Sequence, residues 1–186
     1  MRVIVFLADG FEEVEAITVV DYLRRMNIDV DTVAITENEK VKGAHNVVVI
    51  ADKKVSDLKE IDLYDGVVIP GGMPGAANLR NHEKVIKIVK DLNDKEKLVA
   101  AICAGPIVLQ KAGVITSKRV TSYPGFENVL ADGIYIGENV VRDKNIITSR
   151  GPALAVEFAI EIVDYLLGDE KARDLKEDIL YKQASE

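Results

Sequence analysis

Short apolar segments alternate with stretches of helical periodicity along this chain, and that alternation constrains the fold more than any other feature. Several of the segments are continuously apolar, as expected of strands that helices cover on both faces. Strands that alternate with helices in this way are typical of βαβ units around a mainly parallel sheet. The sequence therefore predicts an α/β fold with strands over Val3–Ala8, Val30–Ile35, Gly66–Ile69, Leu98–Ile102 and Asn145–Thr148.

Helical periodicity and turn residues place the remaining elements. A more polar stretch, broken by Gly43-Ala44-His45-Asn46, predicts an edge hairpin over Val41–Ile50, and another short β pair is expected around Ile134–Val141. Gly168 stands where a helix C-cap belongs. Apolar residues three and four positions apart predict helices over Glu13–Met26, His82–Asp94, Ile107–Ala112, Ala153–Leu167 and Glu170–Tyr181.

Length, composition and charge exclude several classes of protein. The 186 residues, of which 48% are hydrophobic and 30% charged, suit one globular domain spanning residues 1–186. A net charge of −7 without a basic stripe argues against a nucleic-acid partner. No segment approaches the roughly 20 apolar residues of a membrane span. The apolar amino terminus stops at Asp9, too early for an export signal, so we expect a cytoplasmic protein.

The cysteine and histidine content narrows the chemistry further. The single cysteine, Cys103, allows no intrachain disulfide, which fits a reducing compartment. The two histidines, His45 and His82, lie far apart and outside any metal-ligand spacing. We therefore expect neither a metal nor another cofactor.

The most informative segment places Cys103 directly after an apolar strand and before a helix. Ala101 and Gly105 flank it, and small residues are needed there because the backbone of a nucleophile elbow turns sharply. A helix amino end carries partial positive charge and unpaired N–H groups, which favour a thiolate. The segment predicts a reactive Cys103 with a lowered pKa; the alternative is a cysteine that only fills the core.

A glycine-rich turn, Pro70-Gly71-Gly72-Met73-Pro74, follows the third predicted strand. Sites in open α/β sheets form beyond the carboxyl ends of the strands, so this turn supports a site at Cys103. The N–H groups of Gly72 and Ala104 can then form an oxyanion hole. The turn is too short for a phosphate-binding P-loop and lacks its Lys-Ser/Thr, and a plain loop is the alternative.

The first predicted helix is apolar over an unusually wide arc. A helix of this kind is buried on two sides, one of which meets the sheet. The other side meets either a second subunit, in a homodimer, or a C-terminal helix of the same chain. The two apolar faces are Ala16-Val20-Leu23 and Val19-Tyr22-Met26, the second in line with Glu15.

Four segments together resemble the DJ-1/ThiJ/PfpI superfamily, and most closely its DJ-1 branch. They follow one another in the expected order over nearly the whole chain. The resemblance implies a flavodoxin-like three-layer sandwich, a homodimer and a nucleophilic Cys103 on a strained elbow. The four segments are Ala8–Glu15 (ADGFEEVE), Val68–Gly72 (VIPGG), Ala100–Pro106 (AAICAGP) and Thr148–Pro152 (TSRGP).

The resemblance also assigns roles to neighbours of Cys103. It makes Glu15 the acidic residue that is typically protonated and hydrogen-bonds the cysteine sulfur, and it brings Tyr123 and Gly71 to the pocket. Tyr123 stands where many DJ-1 proteins have a histidine; with a pKa near 10 it is a poor base, which leaves that duty to Glu15. Ala104 stands where the PfpI branch has a histidine, so a cysteine peptidase loses its usual base.

The resemblance implies a cofactor-independent enzyme whose Cys103 attacks 2-oxoaldehydes such as methylglyoxal, or their early adducts with proteins, in the manner of glyoxalase III or a protein deglycase. The alternative, which the resemblance also supports, is a redox-sensing stress-response protein that acts through oxidation of Cys103. An intracellular cysteine peptidase is a weaker alternative. A glutamine amidotransferase is disfavoured further, because its downstream His–Glu pair is missing.

Overall fold

The chain forms a mostly parallel sheet covered by helices on both faces. The structure, a computed structural model, describes residues 1–181. The strands are β1 Arg2–Leu7, β2 Asp29–Ala34, β3 Lys40–Lys42, β4 Val48–Ile50, β5 Lys53–Lys54, β6 Gly66–Ile69, β7 Leu98–Ile102, β8 Arg119–Val120, β9 Ile134–Tyr135, β10 Val140–Asp143 and β11 Ile146–Ser149. The helices are α1 Glu13–Arg25, α2 Gly75–Arg80, α3 Glu83–Asp94, α4 Pro106–Ala112, α5 Ala155–Leu167 and α6 Asp169–Asp178.

The main sheet has seven strands in the order β10-β11-β7-β6-β1-β2-β5. Its neighbours pair in parallel except β10, which runs antiparallel to β11. Along β1, Val3, Val5 and Leu7 enter the apolar core beneath α1 and α5, while Ile4 and Phe6 enter the core beneath α2, α3 and α4. Both faces of the strand are buried, which is why it reads as one continuous apolar run.

The five strands predicted from apolar runs are confirmed, each with its ends within one residue of the prediction. The predicted flavodoxin-like three-layer sandwich is confirmed as well. Gly168 ends α5 with a φ of 89°, a left-handed conformation that glycine adopts without steric cost. The last predicted helix ends earlier, at Asp178, and residues 182–186 of the predicted domain lie outside the described part.

Two predictions about β pairing are wrong. The hairpin over Val41–Ile50 forms, but as a separate two-stranded sheet rather than at the edge of the main sheet, where β5 lies instead. Its backbone is held by the loop after β1, because Gly10 N–H donates to Lys42 O at 2.7 Å. The residues of the expected pair around Ile134–Val141 find different partners: β9 pairs with β8 and β10 with β11.

The second apolar face of α1 is covered within the chain. Val19 is fully buried, and Tyr22 and Met26 pack partly buried against the same core. Helix α5 packs against α1 and belongs to that core, so the C-terminal-helix alternative accounts for this face. Among residues 1–181, no helix combines the length and apolar character needed to cross a membrane.

Candidate active site

Four neighbouring strands bring the predicted site residues to one edge of the sheet. Cys103 follows β7, Gly71 follows β6, Glu15 lies in the first turn of α1 after β1, and Gly151 follows β11. The convergence is tight at Gly71, where an added Cβ would lie 2.6 Å from Cys103 Cβ, 2.7 Å from Glu15 Oε2 and 2.9 Å from Ala104 N. This arrangement follows the rule that sites in such sheets form beyond the carboxyl ends of the strands.

Cys103 occupies the predicted elbow between β7 and α4. Its φ is 63°, a left-handed conformation that is uncommon for any residue other than glycine. Its N–H donates to Ser149 O at 2.9 Å and its carbonyl accepts from Tyr123 N–H at 3.0 Å, so the strained residue is fixed from both sides. Gly105 is required sterically, since a Cβ there would lie 2.5 Å from Ile69 O.

Two backbone N–H groups face the sulfur of Cys103. They belong to Ala104 and Gly72, the pair expected to form an oxyanion hole, and both act to lower the pKa of the thiol. Gly72 reaches this position with a φ of 84°, and a Cβ on it would lie 2.4 Å from Glu12 N. The turn therefore depends on glycine for both its conformation and its close approach to α1.

Glu15 is completely buried and has one direct backbone partner. Its Oε2 accepts the N–H of Gly71 at 2.7 Å, while Oε1 is buried without a hydrogen-bonding partner among residues 1–181. Burial raises the pKa of Glu15 to about 7, against the lowering effect of the Gly71 N–H and the Cys103 thiol. The carboxyl group is therefore protonated over the acidic half of the physiological range.

The prediction that Cys103 has a lowered pKa is wrong when the neighbouring Glu15 is ionised. Burial and then the negative charge of Glu15 raise the pKa of the thiol to about 12, and the N–H groups of Ala104 and Gly72 offset only part of this. The amino end of α4 favours a thiolate, but burial and the neighbouring carboxylate outweigh that effect. Because a charge on one group disfavours a charge on the other, the pair gains its first negative charge near pH 7 and a second one only at much higher pH.

Tyr123 lies at the mouth of a cleft beside the elbow. The residue is 48% exposed and borders a cleft of about 270 Å³, and its backbone N–H donates to Cys103 O at 3.0 Å. Sequence reasoning missed Arg150 and Leu154 here, although their place after β11 was itself a signal. The cleft is lined by Tyr123, Pro124, Asn139, Arg150, Gly151, Pro152, Ala153 and Leu154.

A second group of titratable side chains lies near the amino end of α1. Glu12, Glu13 and His45 have donor atoms within 4.8 Å of one another. His45 comes from the β3–β4 hairpin, 32 residues after Glu13. No sequence motif links residues at this separation, so nothing in the sequence pointed to the group.

Comparison with known proteins gives consistent matches over most of the chain. A model of the DJ-1/PfpI family matches residues 1–165. The Parkinson disease protein 7 homolog of Danio rerio is 37% identical over 184 residues, covering 97% of each chain. A Caenorhabditis elegans protein named glutathione-independent glyoxalase DJR-1.2 is 36% identical over 166 residues, covering 88% of this chain and 87% of that one. The solved structure of oxidized Toxoplasma gondii DJ-1 superposes with a TM-score of 0.92 at 34% identity, covering 98% and 99% of the two chains.

Proposed function

This chain belongs to the DJ-1/PfpI family, and from that membership we propose that it is a cofactor-independent enzyme whose Cys103 acts on 2-oxoaldehydes or on their adducts with proteins. The observation that carries the proposal is the convergence of the Cys103 thiol, the Glu15 carboxyl and two backbone N–H groups at one point. A relative named glutathione-independent glyoxalase supports chemistry of this class.

The reactive form of the pair has the proton on Glu15 and the charge on Cys103. Glu15 Oε2 accepts an N–H from Gly71, so Oε1 is the oxygen that holds the proton. With Glu15 neutral, its repulsion of a thiolate disappears, and the N–H groups of Ala104 and Gly72 stabilise the charge on sulfur. A thiolate held in this way is a nucleophile at neutral pH.

The proposed reaction begins when the Cys103 thiolate adds to the aldehyde carbon of a 2-oxoaldehyde and forms a hemithioacetal. The N–H groups of Gly72 and Ala104 stabilise the negative oxygen. Glu15 gives its proton to that oxygen and becomes a carboxylate. It then moves a proton from the former aldehyde carbon to the neighbouring carbonyl carbon while the hydroxyl proton passes to the second oxygen, which converts the hemithioacetal to a thioester. Water hydrolyses the thioester, releases a 2-hydroxy acid and restores the thiol. These reaction steps balance in atoms and electrons without a metal, an external thiol or an oxidant.

The decisive experiment incubates the purified protein with methylglyoxal in the absence of glutathione and measures lactate. We expect lactate from the wild type, and losses of at least 1000-fold in kcat/KM for Cys103→Ser and Glu15→Gln, because each removes a group that takes part in bond making. Glu170→Gln, which changes an exposed glutamate on α6, serves as the matched control and keeps full activity. Full activity in either site variant contradicts the mechanism.

A redox-sensing stress-response role is the second candidate, and the same geometry favours it. A sulfinate formed on Cys103 would accept hydrogen bonds from the N–H groups of Ala104 and Gly72. The protonated carboxyl group of Glu15 would donate a further hydrogen bond to it. The related Toxoplasma protein has been solved in an oxidized form. A lone thiol remains reduced in the cytoplasm until an oxidant arrives, and this is where we propose that the protein acts.

Mass spectrometry after mild peroxide treatment tests the redox candidate. We expect a two-oxygen adduct on Cys103, formed more slowly in Glu15→Gln than in the control Glu170→Gln. Absence of the adduct, or its formation at equal rates in both variants, contradicts a sensing site built around Glu15.

A peptidase function has less support. A cysteine peptidase needs a histidine base, whereas Ala104 follows the nucleophile here. His45 hydrogen-bonds Glu13 and His82 caps α3, so within residues 1–181 neither histidine forms a hydrogen bond with Cys103. Hydrolysis of casein or a peptide by the wild type, with loss of that hydrolysis in Cys103→Ser, would support a peptidase function.

We also propose that the protein acts as a homodimer. Val14 and Ile17 are exposed on the outer side of α1, and Val48 and Ile50 are exposed on the β3–β4 hairpin that is bonded to the start of α1. Adjacent exposed aliphatic side chains on two joined elements are typical of an interface. Sedimentation equilibrium should give twice the chain mass for the wild type, the single-chain mass for Val48→Glu, and a dimer for Val129→Glu, an exposed valine elsewhere.

A further inference from the structure

Three donor groups meet where the β3–β4 hairpin touches the amino end of α1. His45 Nδ1 lies 2.9 Å from Glu13 Oε2 and 3.4 Å from Glu12 Oε1. The side chains of Glu12 and Glu13 are only 15% and 10% exposed, whereas that of His45 is 71% exposed. The group therefore consists of two shielded carboxylates beneath one imidazole that opens to solvent.

The charge of this group is poorly balanced. Among residues 1–181, no lysine or arginine lies within 4.0 Å of either carboxylate, and His45 is their sole cationic partner. Desolvation penalises the ionised form of a shielded carboxylate, and the hydrogen bonds that Glu13 accepts from the backbone N–H groups of His45 and Val47 offset this penalty. One protonated imidazole neutralises half of the charge, whereas a divalent cation neutralises all of it.

The hairpin orients Glu13 with one oxygen turned toward the imidazole. Its Oε1 accepts the backbone N–H groups of His45 at 2.7 Å and Val47 at 3.3 Å. Among residues 1–181, Oε2 forms a hydrogen bond only with the His45 ring nitrogen. Metal-binding carboxylates are commonly held in this manner, with outer hydrogen bonds fixing the direction of the ligating oxygen.

We propose that Glu12, Glu13 and His45 bind a divalent transition-metal ion of the zinc type, in a site that uses neither Cys103 nor Glu15. Zinc bonds to nitrogen and carboxylate oxygen are about 2.0–2.2 Å long, so two donors on one tetrahedral ion lie about 3.3 Å apart. The observed separations of 2.9 and 3.4 Å are close to that value. An imidazole donor favours zinc over magnesium or calcium, and water fills the fourth position on the exposed side.

The test titrates zinc chloride into the full chain at pH 7.5 in competition with a chromophoric zinc indicator. We expect one zinc ion per chain in the wild type and at least tenfold weaker binding in His45→Asn. Two variants should bind zinc as the wild type does. One is Cys103→Ser, which removes the competing thiol, and the other is His82→Asn, which replaces the remaining histidine with a residue that also caps α3.

Glu12→Gln separates ligation from folding of the hairpin. Within residues 1–181 the Glu12 side chain contacts only the His45 ring as a charged partner, so the change leaves the hydrogen bonds of Glu13 in place. Weaker zinc binding in this variant supports the site even where His45→Asn disturbs the loop. Unchanged zinc affinity in both variants, or loss of zinc binding in Cys103→Ser, overturns the proposal.

Discussion

Glu15 and Asp31 are both shielded carboxyl groups, but Glu15 lies in α1 and Asp31 in β2, and their hydrogen-bonding partners differ in charge. Asp31 Oδ2 accepts from Tyr64 OH at 2.5 Å, Arg2 Nε at 2.9 Å and Lys53 Nζ at 3.0 Å. Glu15, at the carboxyl ends of the strands, has a backbone N–H and a thiol as neighbours and, within residues 1–181, no ion pair with a cation. Asp31 is therefore surrounded by positive charge, whereas the groups that contact Glu15 are uncharged.

The consequence appears in the protonation of the two groups. Burial acts to raise the pKa of Asp31, but hydrogen bonds from Tyr64, Lys53 and Arg2 outweigh it and lower that pKa. At Glu15 burial prevails and the pKa rises to about 7. Asp31 is therefore a structural group that is ionised at neutral pH, whereas Glu15 can gain or lose a proton there, as proton transfer requires.

Asp31→Ala should give the largest change in the free energy of unfolding. It strands two cations and a phenol around a partly buried space, and breaking a shielded ion pair costs about 3–5 kcal/mol. Urea unfolding at pH 7 measures the loss. Because the folded-state pKa of Asp31 lies below its usual 3.8, the stabilisation is present above that value and disappears as the pH falls through the folded-state pKa.

The matched control is Asp29→Ala, an exposed aspartate in the same strand that forms no ion pair among residues 1–181. We expect it to alter stability by no more than about 0.5 kcal/mol. Equal losses in the two variants would mean that the cations around Asp31 do not stabilise the fold.

Glu15→Gln should change the free energy of unfolding in the opposite direction to Asp31→Ala, that is, it should stabilise the fold. The folded-state pKa of about 7 lies above the usual 4.5, so the contribution of Glu15 to stability is complete below pH 4.5 and is lost as the pH rises through 7. At pH 8 this loss amounts to about 3 kcal/mol, which the uncharged glutamine avoids. Thermal unfolding at pH 4.5 and pH 8 should show a stabilisation of the variant that grows with pH, together with loss of activity.

The pH dependence distinguishes this effect from simple repacking. Glu170→Gln, in an exposed position, should differ from the wild type equally at both pH values. If Glu15→Gln also shows a pH-independent difference, then the folded-state pKa of Glu15 is close to its usual 4.5, the carboxyl group is ionised at neutral pH, and the proposed proton carrier loses its basis.

The same contrast explains what the sequence could predict. Strands that are buried on both faces consist of consecutive apolar residues, so the bounds of β1, β6 and β7 could be predicted to within one residue. The meeting of Cys103 with the Gly71 turn followed from the rule on carboxyl ends, but Glu15 was recognisable only through the family resemblance, because an acidic residue at a helix start is otherwise ordinary.

Burial and partnership, in contrast, are tertiary quantities that the local sequence does not encode. The pKa direction at Cys103 depends on desolvation and on Glu15, which is remote in sequence. The partners of two-residue strands such as β8 and β9 depend on loops that bring them together. His45 reaches Glu13 across 32 residues for the same reason.

The smallest predicted effect belongs to the ion pair between Lys87 and Asp91 on α3. Its 2.6 Å separation is shorter than either ion pair of Asp31, yet the two side chains are 71% and 36% exposed. Water screens such a pair, and lysine preceding its acid is the less favourable order on a helix. We expect a double-mutant cycle with Lys87→Ala and Asp91→Ala to give a coupling energy of about 0.3 kcal/mol. A coupling above about 1 kcal/mol would mean that distance outweighs burial, and the contrast between Asp31 and Glu15 would then need a different explanation.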